Sequence, residues 1–428
     1  MTVSAHRSSR SGRTAPAPAG RRRKAPLWAK LIVVLGALML IGSGAAFAAV
    51  GSLLGKVDSS VHQQSLLGDA APSFDGSTIR GPLNILLVGL DGGSRHNGPG
   101  GTDTIMIAHV PASHDRIYLV SLPRDTGVRI PAYAKSGFPG GSAKINAAFV
   151  YGSNHGGGVP GGFELLALTI KKNYGISFNA GAIVDFTGFE KIVQQLGGVT
   201  MYVDETTYSI HHGYINNDPK QHAAPYHINP DTGVPTCPRG FTFDSTPDKC
   251  TLPGVKEVVY RKGWQHLSPY DALDFMRCRD GLVGTDYGRQ RHQQQLIRAV
   301  LQQSYQQGLS DPFKLSGFIQ AIGSAFTFDG GGIPMNDWIF TLKGIGPDAM
   351  TTIKTNGGQY VRYTGSDIPG SVQGLNSDSL ALLQAVRADK GAADDHVGAF
   401  VAAHPSWNAN TAAAPSAKSS ATPSPTVH

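Results

Sequence analysis

The chain has 428 residues, 40% of them hydrophobic, with 54 glycines and a formal net charge of +7. That is enough for one large or two ordinary domains with a packed core and many turns. The charge is concentrated: eight of the 37 Lys and Arg (Arg7, Arg10, Arg13, Arg21, Arg22, Arg23, Lys24 and Lys30) fall in the first 30 residues, which hold no acid, while the other 29 face all 30 Asp and Glu. A basic excess held in a tail, outside the folded region, argues against nucleic acid as the partner.

Residues 1–30 read as a basic, disordered cytoplasmic tail. Leu31–Leu54 follow with 24 uncharged residues, which as a helix would span about 36 Å, enough for a bilayer core. Ala46-Phe47-Ala48 resembles a signal cleavage site, but the run is longer than a signal peptide's apolar stretch. The expectation is therefore a retained single-pass anchor, with the basic N-terminus inside and everything after it outside the cell membrane. Residues 55–80 read as a linker.

From Leu83 the pattern is that of a folded domain, expected over 81–390. Leu83–Leu90, Thr104–Val110 and Arg116–Leu122 are short apolar or alternating runs bounded by turn residues, and read as strands. Phe163–Tyr174 has a helical apolar period and stops before Gly175. Ala182–Phe186 reads as a strand, Thr187–Leu196 as a helix closed by two glycines, and Val199–Val203 as a strand. Residues 205–262 are a long polar interruption, expected to be a surface insertion. Within it Cys237 and Cys250 flank a loop that a disulfide could close outside the cell, leaving Cys278 over. No Cys/His spacing suggests zinc.

Ser268-Pro269-Tyr270-Asp271 carries a full helix-start signal, with the helix expected to run to about Met276. Thr285 or Asp286 can cap a second helix, Tyr287–Gln307. Further helices are expected at Pro312–Ile322, Asn336–Leu342 and Asp378–Arg387, and a last strand at Met350–Thr355. Residues 391–428 read as an Ala/Ser/Pro/Thr-rich disordered tail. Strands alternating with helices predict an α/β sandwich, helices packing on a central mixed sheet.

Four polar knots interrupt this framework. Asp91 ends the first strand and Asp103 precedes the second. Paired acids at strand ends suit Mg²⁺, with Mn²⁺ as the alternative, although either Asp alone is an ordinary turn residue. Arg124 and Asp125 close the third strand, with Lys144 and Asn146 close behind as further donors. The last knot holds Arg277, Arg279 and Arg289, cations suited to a diphosphate because each guanidinium can bind two oxygens, with the neutral Gln293 beside them. Arg291 is expected to face solvent. The bland alternative for this stretch is a solvated basic face. There is no Walker phosphate loop and no nucleophile elbow.

NILLVGLDGGSR, GGTDTIMIAHV, YLVSLPRDTGVRIP, KINAAFVYG, IVDFTGFEKIVQQLGGVTMYVD and DALDFMRCRDG with DYGRQRHQQQ occur in this order. Together they resemble the LytR-CpsA-Psr family of cell-wall glycopolymer transferases. The resemblance implies an α-β-α fold with a deep apolar pocket for a polyprenyl chain. It also implies transfer of a glycan phosphate from a polyprenyl-diphosphate carrier to the 6-hydroxyl of N-acetylmuramic acid in peptidoglycan. By motif match Asp91 and Asp103 would hold Mg²⁺, and Arg124, Arg277, Arg279, Arg289 and Gln293 would bind the diphosphate. Asp91, Asp103, Asp125 and Asp286 all remain candidates for the base. Three positions depart from the family pattern: Leu90, Gly101 and His292, which stands where an arginine is usual and could make phosphate binding weaker or pH-dependent. A hydrolase of the same carrier and a non-catalytic wall-binding protein are the alternatives.

Overall fold

In a computed structural model the described residues are 62–71, 79–90, 101–215, 218–223, 227–228, 235–236, 242–245, 248–251, 255–278, 286–308, 312–391, 394–408 and 426–427, without the side chains of His62, Tyr208, 210–257, Asp286, Tyr287, Pro312, Phe313, Leu315, Ser316, Gln320, Ser324, Asn336, Thr426 and Val427. All of them lie in one compact unit, Leu53–His428. The expected anchor, Leu31–Leu54, lies outside the described residues. Among those that are described, no helix is long and apolar enough to cross a membrane.

The strands are β1 (His62–Gln63), β2 (Leu83–Leu90), β3 (Thr102–Val110), β4 (Ile117–Leu122), β5 (Gly127–Ile130), β6 (Gly141–Lys144), β7 (Ala180–Asp185), β8 (Val199–Val203), β9 (Thr207–Ile215), β10 (Val255–Tyr260), β11 (Gly263–Leu267), β12 (Phe326–Asp329) and β13 (Met350–Lys354). Shorter strand pieces lie between 218 and 251 and at Thr426–Val427. The helices are α1 (Ile145–Ser153), α2 (Gly158–Tyr174), α3 (Phe186–Gln195), α4 (Pro269–Arg277), α5 (Asp286–Gln306), α6 (Pro312–Ile322), α7 (Met335–Leu342), α8 (Ser377–Ala388) and α9 (His396–Ala403). Seven strands form the main sheet in the order β1-β12-β7-β2-β3-β4-β13. It is mixed, as expected: β2 runs parallel to β7 and antiparallel to β3, and β4 runs parallel to β13.

Alternation along the central strands decides which layer each residue joins. Leu86, Val88 and Leu90 of β2, with Ile105 and Ile107 of β3, pack with Phe163, Leu166 and Ile170 of α2 and Leu382 of α8. On the other face Leu83 and Ile85 pack with Ile319 of α6 and Trp338 of α7. Helices thus cover both faces. The apolar side of α2 is plain core, its Phe163, Leu165, Leu166 and Ile170 having no exposed surface. A third core joins Val193 of α3, Val199 and Met201 of β8, Tyr260 of β10, Phe275 of α4 and Leu296 of α5.

The interruption at 205–262 is therefore not wholly a surface insertion. Its last strand, β10, pairs with β9 and buries Val258, Val259 and Tyr260. Packed structure also continues past residue 390, where a tail was expected. Helix α9 contributes Val397 and Phe400 to the first core, and Trp407 stacks edge-on against Phe400 at 5.4 Å.

Candidate functional site

One edge of the main sheet gathers the predicted knots, and strand register fixes which edge it is. Leu90, the last residue of β2, lies opposite Asp185, the last of β7, and opposite Thr102, the first of β3. Leu122 at the end of β4 faces Ile105 near the start of β3, and Lys354 at the end of β13 pairs with Ser121 of β4. The carboxyl ends of four strands and the amino end of β3 share this edge, the usual place for a site in an α/β sheet.

Asp103 and Arg124 meet there, the Arg124 Nη1 donating to Asp103 Oδ1 with both side chains largely covered. Arg124 sits in a turn held from both sides. Thr126 N–H and its hydroxyl both donate to Pro123 O, while Asn146 N–H donates to Arg124 O at 3.2 Å. The start of α1 thus fastens the turn, and Lys144 Nζ pairs with Asp125 at 3.1 Å. Asp125, Lys144 and Asn146 in this way build the loop that carries Arg124, the kind of support that fixes a guanidinium before a ligand arrives.

Arg277 is the last residue of α4, whose start is as expected: Ser268 Oγ accepts from Asp271 N–H and Pro269 takes the first helical position. Its last turn is anchored by Asp274, which accepts from the Tyr260 hydroxyl at 2.6 Å and from the buried Cys278 thiol at 3.7 Å. The Tyr260 pKa is raised well above its ordinary value by burial and by the Asp274 charge. The Arg277 guanidinium lies 4.7 Å from the centre of the Phe186 ring, at the start of α3 directly after β7. Burial raises the Glu190 pKa against the opposing charge of Arg277.

Helix α5 brings its first turns to the same edge. Gln294 Nε2 donates to Ser121 Oγ at 2.7 Å, three residues before Arg124, and reaches Ile353 O at 3.4 Å. Arg289, Gln290, His292, Gln293 and Gln294 are all buried. A run of buried polar side chains on one helix end is a mark of a site rather than of a solvated face.

Two expectations for this helix need correction. Arg291 does not point into solvent: its Nε pairs with Asp204 at 3.0 Å and its Nη2 with Glu205. His292 has no exposed surface and stacks on Phe275, the rings 4.1 Å apart, so it belongs to the third core. Burial and the neighbouring Arg291 charge push its pKa down to about 4. Enclosed in this way, the imidazole is a core side chain rather than an exposed donor at the site.

Asp91, Arg279 and Cys237 lie outside the described residues, as do the side chains of Asp286 and Cys250. Phe186, Asp204 and Lys354 were not singled out in the sequence. Lys354 was within reach, as a cation one residue before the end of the last predicted strand. Among the described residues no group of three His, Cys, Asp or Glu side chains gathers to hold a metal ion. Asp103 offers a hard carboxylate at this edge, its Oδ1 accepting from Arg124.

Residues 53–379 match the LytR_cpsA_psr family. The chain belongs to the LytR-CpsA-Psr family. It is 28% identical over 289 residues to the polyisoprenyl-teichoic acid–peptidoglycan teichoic acid transferase TagU of Oceanobacillus iheyensis, covering 66% of this chain and 71% of that protein. It is 23% identical over 220 residues to TagV of Bacillus subtilis, which carries the same transferase description, covering 51% of this chain and 43% of TagV. The structure of protein gbs0355 from Streptococcus agalactiae superposes with a TM-score of 0.50 at 19% identity, over 72% of this chain and 88% of that one. That likeness extends to the mixed sheet and its helices.

Proposed function

We propose that this LytR-CpsA-Psr protein is a membrane-anchored phosphotransferase that moves a glycopolymer phosphate from a polyprenyl-diphosphate carrier to the 6-hydroxyl of N-acetylmuramic acid in peptidoglycan. The observation that carries the reading is the Arg124–Asp103 ion pair at the sheet edge, with the buried α5 turn tied beside it by the Gln294–Ser121 hydrogen bond, segments more than 150 residues apart in sequence. The names of TagU and TagV support it.

In the proposed step the acceptor oxygen attacks the sugar-linked phosphorus of the carrier. The bond from that phosphorus to the bridging oxygen breaks, polyprenyl phosphate leaves, and a phosphodiester to peptidoglycan remains. Arg124, Arg277 and Arg289 offset the charge gathering on the phosphate oxygens, which is where preorganised donors lower a barrier most. Asp103, together with Asp91, suits a hard divalent cation such as Mg²⁺, which when bound would polarise a phosphoryl oxygen. The hydroxyl proton goes to a carboxylate, for which Asp91, Asp103, Asp125 and Asp286 are the candidates. Leu31–Leu54 would hold the domain on the outer side of the cell membrane, where the carrier, an apolar pocket for its polyprenyl chain, and peptidoglycan meet.

The test supplies the full chain in detergent with a lipid-linked glycan labelled in its sugar, Mg²⁺ and peptidoglycan fragments. The reading requires label on the fragments. Label found only in water-soluble glycan would instead make the protein a hydrolase of the carrier.

A further inference from the structure

Lys354 is a half-buried cation at the site's edge of the main sheet. It ends β13, in register with Ser121 and one strand spacing, about 4.8 Å, from the strand that leads to Arg124. It forms no ion pair among the described residues; Arg291 and Asp204 are the charges that act on its ammonium, and the Asp204 carboxylate is already paired with Arg291. Burial, with the Arg291 charge second, lowers its pKa. A lysine that merely snorkels keeps its head in water and is not affected in this way.

The backbone after Lys354 is shaped around it. Asn356, Gly357 and Gly358 all take positive φ, at 55°, 62° and 79°. For a buried asparagine that conformation is costly and persists only where its surroundings impose it. Here they do: Asn356 N–H donates to Ser379 Oγ, its Nδ2 to Gly374 O, and its Oδ1 accepts from Asn376 N–H and Ser379 Oγ. A Cβ on Gly358 would come within 3.2 Å of Lys354 Cδ, so glycine leaves room for the lysine stem. On the other side Gln294, the residue that ties α5 to Ser121, has an Oε1 with no donor among the described residues.

We propose that Lys354 is a further substrate contact of this site, its ammonium taking an oxygen of the carrier's phosphate on the Arg124 side. The inference rests on the phosphotransferase reading and adds to it. From β7, beside which Arg277 sits, to β13 is four strand spacings, about 19 Å. That is longer than a diphosphate, so Arg277 and Lys354 serve different parts of the ligand. Lys354 brackets Arg124 from the far strand.

Binding of a short-chain polyprenyl diphosphate to the full chain in detergent tests this, measured by titration calorimetry on wild type, Lys354→Gln and Lys354→Arg. Loss of one charge-assisted contact predicts binding roughly ten- to a hundredfold weaker in Lys354→Gln, with most of it restored in Lys354→Arg. In the transfer assay KM for the carrier should rise while kcat holds. Equal affinity of Lys354→Gln and wild type would overturn the assignment of Lys354 alone. Failure of wild type to bind the diphosphate would overturn the phosphate reading beneath it. Equal unfolding midpoints for the three proteins separate lost binding from lost folding.

Discussion

Replacing His292 by Phe should flatten part of the protein's acid sensitivity. His292 is enclosed, stacked on Phe275 and next to Arg291, and its pKa falls from 6.5 to about 4. The folded state therefore refuses a proton that the unfolded chain accepts. A His with a depressed folded pKa withdraws stability as pH drops below its unfolded value, and the loss is complete below the folded one. At about 1.36 kcal/mol per pH unit, the gap from 6.5 to about 4 amounts to about 3 kcal/mol, of which about 2 kcal/mol falls between pH 7 and pH 5. His109, lowered by burial as well, has the same sign and is present in both proteins, so the difference between them isolates His292. Urea unfolding of wild type and His292→Phe at pH 7 and pH 5 provides the measurement. Wild type should lose about 2 kcal/mol more than the variant on acidification. Equal losses would mean that His292 is solvated and its place in the third core is misread. Transfer activity between pH 6 and 8 should be nearly the same in both.

Three further outcomes follow from single contacts. Asp274→Ala leaves the buried Tyr260 hydroxyl without its 2.6 Å acceptor and should cost about 3 kcal/mol by urea unfolding. Gly188→Ala places a Cβ 1.7 Å from Ala325 O, a backbone atom that cannot swing aside, and should lower the thermal midpoint by several degrees, read by circular dichroism. Cys237 and Cys250 are proposed to be joined. Non-reducing mass spectrometry should find their peptides linked, with Cys278 alkylated only after unfolding because it is buried.

Much of this was legible in the sequence, and what was not has physical reasons. The helix opened by Ser268 and Pro269 carries its own cap, so its start could be placed to the residue. Strands β2, β3 and β4 bury most of their side chains in short apolar runs bounded by turn residues, so they were visible. Helix α1 was missed because Lys144 caps it with no side-chain bond. Helix α9, HVGAFVAA, is short and apolar all round and shows no face. The β5–β6 hairpin and β12 are four residues each, too short for alternation to count. Residue types placed the cations of the site, but not their partners. Only the fold shows that Arg291 is spent on Asp204 and Glu205, and that His292 faces Phe275 rather than the ligand. Lys354 reads as an unremarkable strand end until the register sets it beside Ser121.

On the proposed reading, the sheet edge holding Asp103 and Arg124 carries out the transfer. Arg124→Ala in the labelled-glycan assay tests it most directly, with an unfolding curve to confirm that the variant is folded. The turn around Arg124 is held by backbone bonds from Thr126 and Asn146, so the fold should survive the loss of its side chain. Label on peptidoglycan should fall by about a hundredfold to a thousandfold, the usual loss when one transition-state donor is removed. Undiminished transfer by a folded Arg124→Ala protein would contradict the claim and move the chemistry elsewhere on the domain.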